Sequence, residues 1–114
     1  MNEHLIVFQK TYDLYLYTHK VVMKFPKCQR FLLSSKLIET NLEMLRLTIV
    51  ANSKKDRKEE IKEISVLLDI FRIHVRVCKD LNFLSVKQYS HFTELINEVG
   101  RLLVGWERVV KTPC

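Results

Sequence analysis

The chain has 114 residues, 47% of them hydrophobic, with 19 Lys+Arg against 13 Asp+Glu, two Gly, two Pro and three Cys. A chain of that length makes one domain, burying roughly two-thirds of the surface it exposes when unfolded, and leaves no room for two lobes around a cleft. So few Gly and Pro cannot supply the turns of a β-sandwich or barrel, and the apolar fraction is far above that of a disordered chain.

Helical periodicity runs through four segments. In the first, Leu5, Phe8, Tyr12, Tyr15, His19 and Val22 recur at spacings of three and four, which predicts a helix buried along that stripe. Phe25-Pro26 closes it, because a residue before proline avoids the α region, and Pro26 then suits the first turn of the next helix. The second segment carries Leu33, Leu37, Met44, Leu47 and Ala51, widened by Ile38, Leu42, Leu45 and Ile49, and ends near Asn52. Ser53 and Asp56 have the spacing of a capping box opening the third helix. That helix has the cleanest stripe: Ile61, Ile64, Leu68, Phe71, Val75 and Cys78. Its first turns, Lys54 to Glu63, mix five basic and four acidic residues, the pattern of a solvated face. Leu81-Asn82-Phe83-Leu84 breaks the run, and Ser85 with Gln88 forms a second capping box. Phe92, Leu95, Val99, Leu102, Trp106 and Val109 mark the fourth helix, which fades near Lys111-Thr112-Pro113. Four long helices with short connections read as an all-α, up-down-up-down four-helix bundle, one domain over residues 1–114.

Two helices are apolar on more than one face. Ile6, Val7, Leu14, Leu16, Tyr17 and Val21 lie off the main stripe of the first, and Val66, Leu67, Ile70, Ile73 and Val77 off that of the third. A bundle core needs about three positions in seven, so the surplus packs on something else: a broad core within one chain or, the favoured reading, a contact between subunits.

Residues 1–24 lack a basic-then-apolar signal layout, and no run approaches the roughly 18 uninterrupted apolar residues of a membrane span. Cys28, Cys78 and Cys114 are odd in number and far apart, unlike a disulfide framework. A reduced cytoplasmic protein is expected.

Charge is polarised along the chain. Leu14 to Ile38 holds five basic residues (Lys20, Lys24, Lys27, Arg30, Lys36) and no acid; Ile70 to Thr93 holds four (Arg72, Arg76, Lys79, Lys87) and one acid, Asp80. In an up-down-up-down bundle these windows meet at one end, and together they exceed the net +6 of the whole chain. Such a field attracts polyanions. Arg72, Arg76 and Lys79 repeat at four and three, so they line one helical stripe as phosphate-tracking residues would. With Lys20, Lys24, Lys27 and Arg30 they are the expected nucleic-acid contacts; Arg101 and Arg108 sit a heptad apart on the fourth helix.

Catalytic patterns are missing. The sequence has no glycine-rich phosphate loop, no Cys-x-x-Cys, no paired histidines around a glutamate and no di-iron carboxylate set. His19 and His74 fall at core-facing positions, and His91 on the surface. Cys28, near a helix start, reads as an inert thiol, and Tyr89, Phe92 and Trp106 as core packing. A non-enzymatic protein without cofactor or metal is expected, and nothing presents a base-reading helix or stacking sheet.

Two stretches carry more than composition: Lys24-Phe25-Pro26-Lys27-Cys28-Gln29-Arg30-Phe31, and Asp80 to Trp106, with Leu84-Ser85-Val86-Lys87-Gln88-Tyr89, Glu98-Val99-Gly100-Arg101 and Gly105-Trp106. They resemble the first turn and the last corner and helix of the accessory variability determinant (Avd) proteins of diversity-generating retroelements. These are four-helix proteins related to those encoded within ribosomal RNA intervening sequences. Val104 stands where the family pattern often has a second glycine. Thr48-Ile49-Val50-Ala51-Asn52-Ser53, in place of the Ser-x-Asn-Ile-Ala-Glu-Gly-like stretch of the intervening-sequence proteins, favours the retroelement branch. The resemblance implies a homopentameric barrel, with no catalysis of its own, that binds a reverse transcriptase and contacts template-repeat RNA or DNA through basic surface. Such a protein supports mutagenic cDNA synthesis. The alternatives are a four-helix scaffold whose basic end meets an acidic protein, or an intervening-sequence-type protein.

Overall fold

The computed structural model describes residues 3–111, with the side chains of 5–28 and 32–108. Helix α1 spans Glu3–Val22. Helix α2 is composite: a turn at Lys27–Gln29, a π-helical stretch at Arg30–Ser34, then a regular helix over Ser35–Asn52. Helices α3 and α4 span Lys58–Asp80 and Val86–Lys111. Each packs on its sequence neighbours and α4 returns to α1, closing a four-helix bundle 50 × 23 × 20 Å in extent. Among the described residues there is no strand.

On α3 all six expected core positions are buried. On α1 Val22 is buried as expected, but most of the expected stripe is not, because the helix turns another face inward. Val7, Thr11, Leu14, Thr18 and Val21 are buried, whereas Leu5 is 53% and Tyr12 41% exposed and His19 faces solvent. The reason is a polar layer. Asn41 replaces an apolar residue on the core stripe of α2 and needs polar company. Its Nδ2 donates to the Thr11 carbonyl at 3.3 Å, and Thr18 Oγ1 lies 3.5 Å from its Oδ1. The two threonine hydroxyls are themselves satisfied, donating to the carbonyls of Val7 (2.8 Å) and Leu14 (2.7 Å) one turn back. Two hydroxyls and an amide thus select the rotation of α1. The core stripe of α4 is Phe92, Ile96, Val99, Leu103 and Trp106, one residue along from the expected Leu95 and Leu102, which sit half-buried at its edges. Val109 and Cys114 lie outside the described side chains.

The connections divide similarly. Ser85 and Gln88 form the expected reciprocal box: the Gln88 N–H donates to Ser85 Oγ at 3.0 Å, and the Ser85 N–H to Gln88 Oε1 at 2.9 Å. Ser53 does not open α3. It closes α2, donating Oγ to the Val50 carbonyl at 2.7 Å, and α3 starts at Lys58. Asp56 receives the Lys58 N–H at 3.4 Å, while Glu59 and Glu60 sit favourably in the positive first turn. The α3 terminus is a Schellman motif. Asn82 takes the left-handed conformation (φ 66°), the Phe83 N–H reaches the Cys78 carbonyl at 2.8 Å, and the Asn82 N–H reaches Lys79 at 2.9 Å. Helix α4 runs unbroken through Val104 and Gly105, so the departure from the double-glycine pattern ends nothing.

Candidate nucleic-acid interface

Phe25 and Phe83, one from each short connection, pack with ring centroids 5.6 Å apart, so both basic windows converge on one end of the bundle. The three stripe residues of α3 lie along its α4 side. Half-buried Arg72 donates Nη1 to Asn97 Oδ1 on α4 at 2.6 Å. Lys79 places its ammonium 4.9 Å from the centroid of the Tyr89 ring, also on α4. Arg76, between them in sequence, is exposed and sits 3.7 Å from Asp80. An exposed ion pair at that length is weak, so the guanidinium remains available to a phosphate.

Lys20 and Lys24, at the end of α1, and Lys27, at the start of α2, are exposed. Arg30 falls in the π-helical stretch, and its side chain is outside the described residues. Lys36 and Lys87 are exposed toward the same end. Position in the chain accounted for these cations but could not supply their partners. Asn97 lies 25 residues from Arg72, and Tyr89, packed against the core as expected, also supports Lys79.

Among the described residues no group of three His, Cys, Asp or Glu could hold a metal ion. His74 is half-buried rather than core, and His91 is exposed as expected. Cys28 is exposed and Cys78 buried, both as free thiols; burial pushes the Cys78 thiol up to about 11. No described helix is long and apolar enough to cross a membrane.

Apolar surface lies elsewhere. Leu5, Tyr12 and Leu16, spaced by seven and four, make one exposed apolar strip on α1, and Leu42 and Ile49, a heptad apart, are exposed on α2. A second strip, Val66, Ile70 and Ile73, runs down the outer face of α3.

Fold and surface together define a helical-bundle protein with a cationic end and two uncovered apolar strips. A sequence model of the bAvd-like family matches residues 5–110, and the chain belongs to that family. Proteins of the Avd-like family are of an accessory, non-catalytic type. A search of curated proteins finds no match of significant similarity.

Proposed function

We propose that this protein is the accessory subunit of a diversity-generating retroelement. It works in the cytoplasm as a homopentameric barrel that binds the reverse transcriptase and holds template-repeat RNA or its DNA product by phosphate contacts at the basic end. What supports the reading is that two chain windows with nine basic residues and one acid contain the two short connections that touch through Phe25 and Phe83, in a bundle of this family. Arg72, Arg76 and Lys79, with Lys20, Lys24, Lys27 and Arg30, supply the contacts, which are to backbone and so carry no base sequence.

The apolar strips support the ring. They are different strips, on α1 and on α3, so pairing one copy's first strip with the next copy's second gives a head-to-tail contact. Repetition of such a contact closes a ring when the rotation allows it. A closed ring sets five basic ends side by side, and multivalent contact then raises affinity without any new interaction.

The test is the double charge reversal Arg72→Glu with Arg76→Glu, with Arg72→Gln as a milder control. Binding of a structured RNA is followed by fluorescence anisotropy across a salt series, with circular dichroism to verify helicity. Loss of two phosphate contacts lowers affinity at least tenfold and reduces the salt slope by roughly 1.4 to 1.8. Unchanged affinity and slope would sink the phosphate-contact assignment and favour an acidic protein as the partner of this end.

A further inference from the structure

The α1–α4 side of the bundle holds a cleft of about 400 Å³, lined by Tyr17, Lys87, Ser90, His91 and Glu94, that none of the contacts above uses. We infer that this cleft seats one backbone phosphate of a bound nucleic acid on Lys87, Ser90 and His91, and that protonation of His91 strengthens the grip. The inference rests on the nucleic-acid reading above and adds to it a site and a pH response.

Helix geometry makes the seat. Lys87 and His91 are four residues apart and Ser90 is three from Lys87, so an ammonium, a hydroxyl and an imidazole share one side of α4. The first turn of α4 holds no acid, and Lys87 has no ion-pair partner among the described residues. Tyr17 forms the wall. Its ring meets His91 edge-on with centroids 4.5 Å apart and Phe92 at 4.8 Å, fixing the imidazole against α1. Burial raises the Tyr17 phenol above its ordinary value, so it stays neutral and adds no negative charge beside a phosphate.

The charges around His91 give the cleft a direction. On α4, Lys87 lies one turn toward the basic end, and Glu94 one turn away, with Oε2 3.8 Å from His91 Nδ1. On α1, Lys20 and Asp13 flank Tyr17 toward the same two ends, and the Asp13 carboxylate is already held by Gln9 Nε2 at 2.8 Å. On α3, Arg72 and Lys79 meet α4 through Asn97 and Tyr89, on its other flank. Glu94 is highly exposed and holds His91 only at ion-pair range, so an incoming phosphate can displace it. A phosphate gains most from the imidazolium form, which acid favours.

The experiment measures anisotropy with a single-stranded RNA oligonucleotide at about pH 6 and pH 8, at fixed ionic strength. It uses the full chain, His91→Gln, Lys87→Gln and, as an exposed-histidine control, His19→Gln. The full chain and the His19 variant bind about fivefold more tightly at the lower pH, His91→Gln loses that gain, and Lys87→Gln lowers the salt slope by roughly 0.7. A full pH response in His91→Gln, or none in the wild type while salt-dependent binding persists, overturns the cleft and leaves the basic end standing. Absence of any salt-dependent binding by the wild type overturns both. Ring shifts of His91 that follow the oligonucleotide, but not inorganic phosphate at matched ionic strength, identify a polynucleotide seat. Shifts produced by inorganic phosphate alone overturn it in favour of a free anion.

Discussion

Replacing Asn41 by Asp changes one amide nitrogen to an oxygen and tests the polar layer that orients α1. The Asn41 side chain is fully buried, its Nδ2 donating to the Thr11 carbonyl at 3.3 Å. In Asn41→Asp the donor becomes an acceptor facing that carbonyl. Among the described residues the side-chain donor near it is the Thr18 hydroxyl, 3.5 Å away and already bonded to the Leu14 carbonyl. Losing the hydrogen bond costs about 1 kcal/mol, and an unpaired buried charge brings the total to roughly 3–5 kcal/mol near neutrality. Asn41→Leu behaves differently. The Thr11 carbonyl keeps its place in the α1 ladder and Thr18 keeps Leu14, so no polar group is orphaned, and the extra volume offsets the gain in apolar burial. That variant stays within about 1.5 kcal/mol of the wild type. Urea unfolding at one fixed protein concentration, followed by far-UV circular dichroism, reads both. The introduced carboxyl would have a raised native pKa, so its penalty grows as pH rises above the unfolded carboxyl range and shrinks as pH falls toward about 4. A penalty below about 1 kcal/mol at neutral pH, or one that does not shrink in acid, would mean position 41 is wetted and the proposed determinant of α1 rotation is wrong.

Three further outcomes test other parts of the molecule. Ile70→Glu with Ile73→Glu places charge on the outer α3 strip; because both residues are exposed, monomer stability changes by no more than about 0.5 kcal/mol per site, while sedimentation velocity shows loss of the assembled species. With Cys114 replaced by Ser, a thiol reagent at about pH 8 labels exposed Cys28 rapidly. Cys78, buried and with its thiol pushed up to about 11, reacts only as fast as the protein opens. Because the folded thiol titrates above the unfolded one, Cys78 favours the native state fully below the unfolded thiol pKa. That contribution falls as pH rises toward about 11, so alkaline unfolding is expected earlier for the wild type than for Cys78→Ala after correction for the cavity.

Periodicity locates the core where one physical signal dominates and misplaces it where two are nearly equal. Helix α3 has a single deep apolar stripe bordered by charge, so periodicity named its whole core. Helix α1 is apolar around much of its circumference, and periodicity chose the aromatic stripe Leu5-Phe8-Tyr12-Tyr15, while the true core runs through Thr11 and Thr18. What decides between them is Asn41, 23 residues from Thr18, and no local pattern reports a partner at that distance. On α4 the adjacent pairs Leu95-Ile96 and Leu102-Leu103 offer two registers, and packing against α1 and α3 chooses the second. Ser85 was readable because its box is closed by Gln88 locally, whereas Ser53 had an equally local alternative, the Val50 carbonyl behind it. The convergence of the two short connections was legible because topology follows from helix count and short connections. The pairing of Arg72 with Asn97 was not, nor was the α1–α4 cleft, since both depend on side-chain placement across helices.

Helix α3 shows why a chain of 114 residues can sustain several surfaces at once. A period of 3.6 residues leaves room for three stripes, each about a third of the circumference. Ile64, Leu68, Phe71, Val75 and Cys78 occupy the inward one, Val66, Ile70 and Ile73 the outward apolar one, and Arg72, Arg76 and Lys79 the one beside α4. Substitutions only one residue apart therefore fall into different classes: Phe71→Ala opens a core cavity costing about 3–5 kcal/mol, while Arg72 or Ile73 can change with little effect on the monomer. In the proposed ring the rigid helix couples the stripes. The apolar stripe fixes where each copy sits, and that alone sets the spacing of the cations one residue away. Dissociating the ring would then weaken nucleic-acid binding without touching a basic residue, because contacts that had been made together would have to be made one copy at a time.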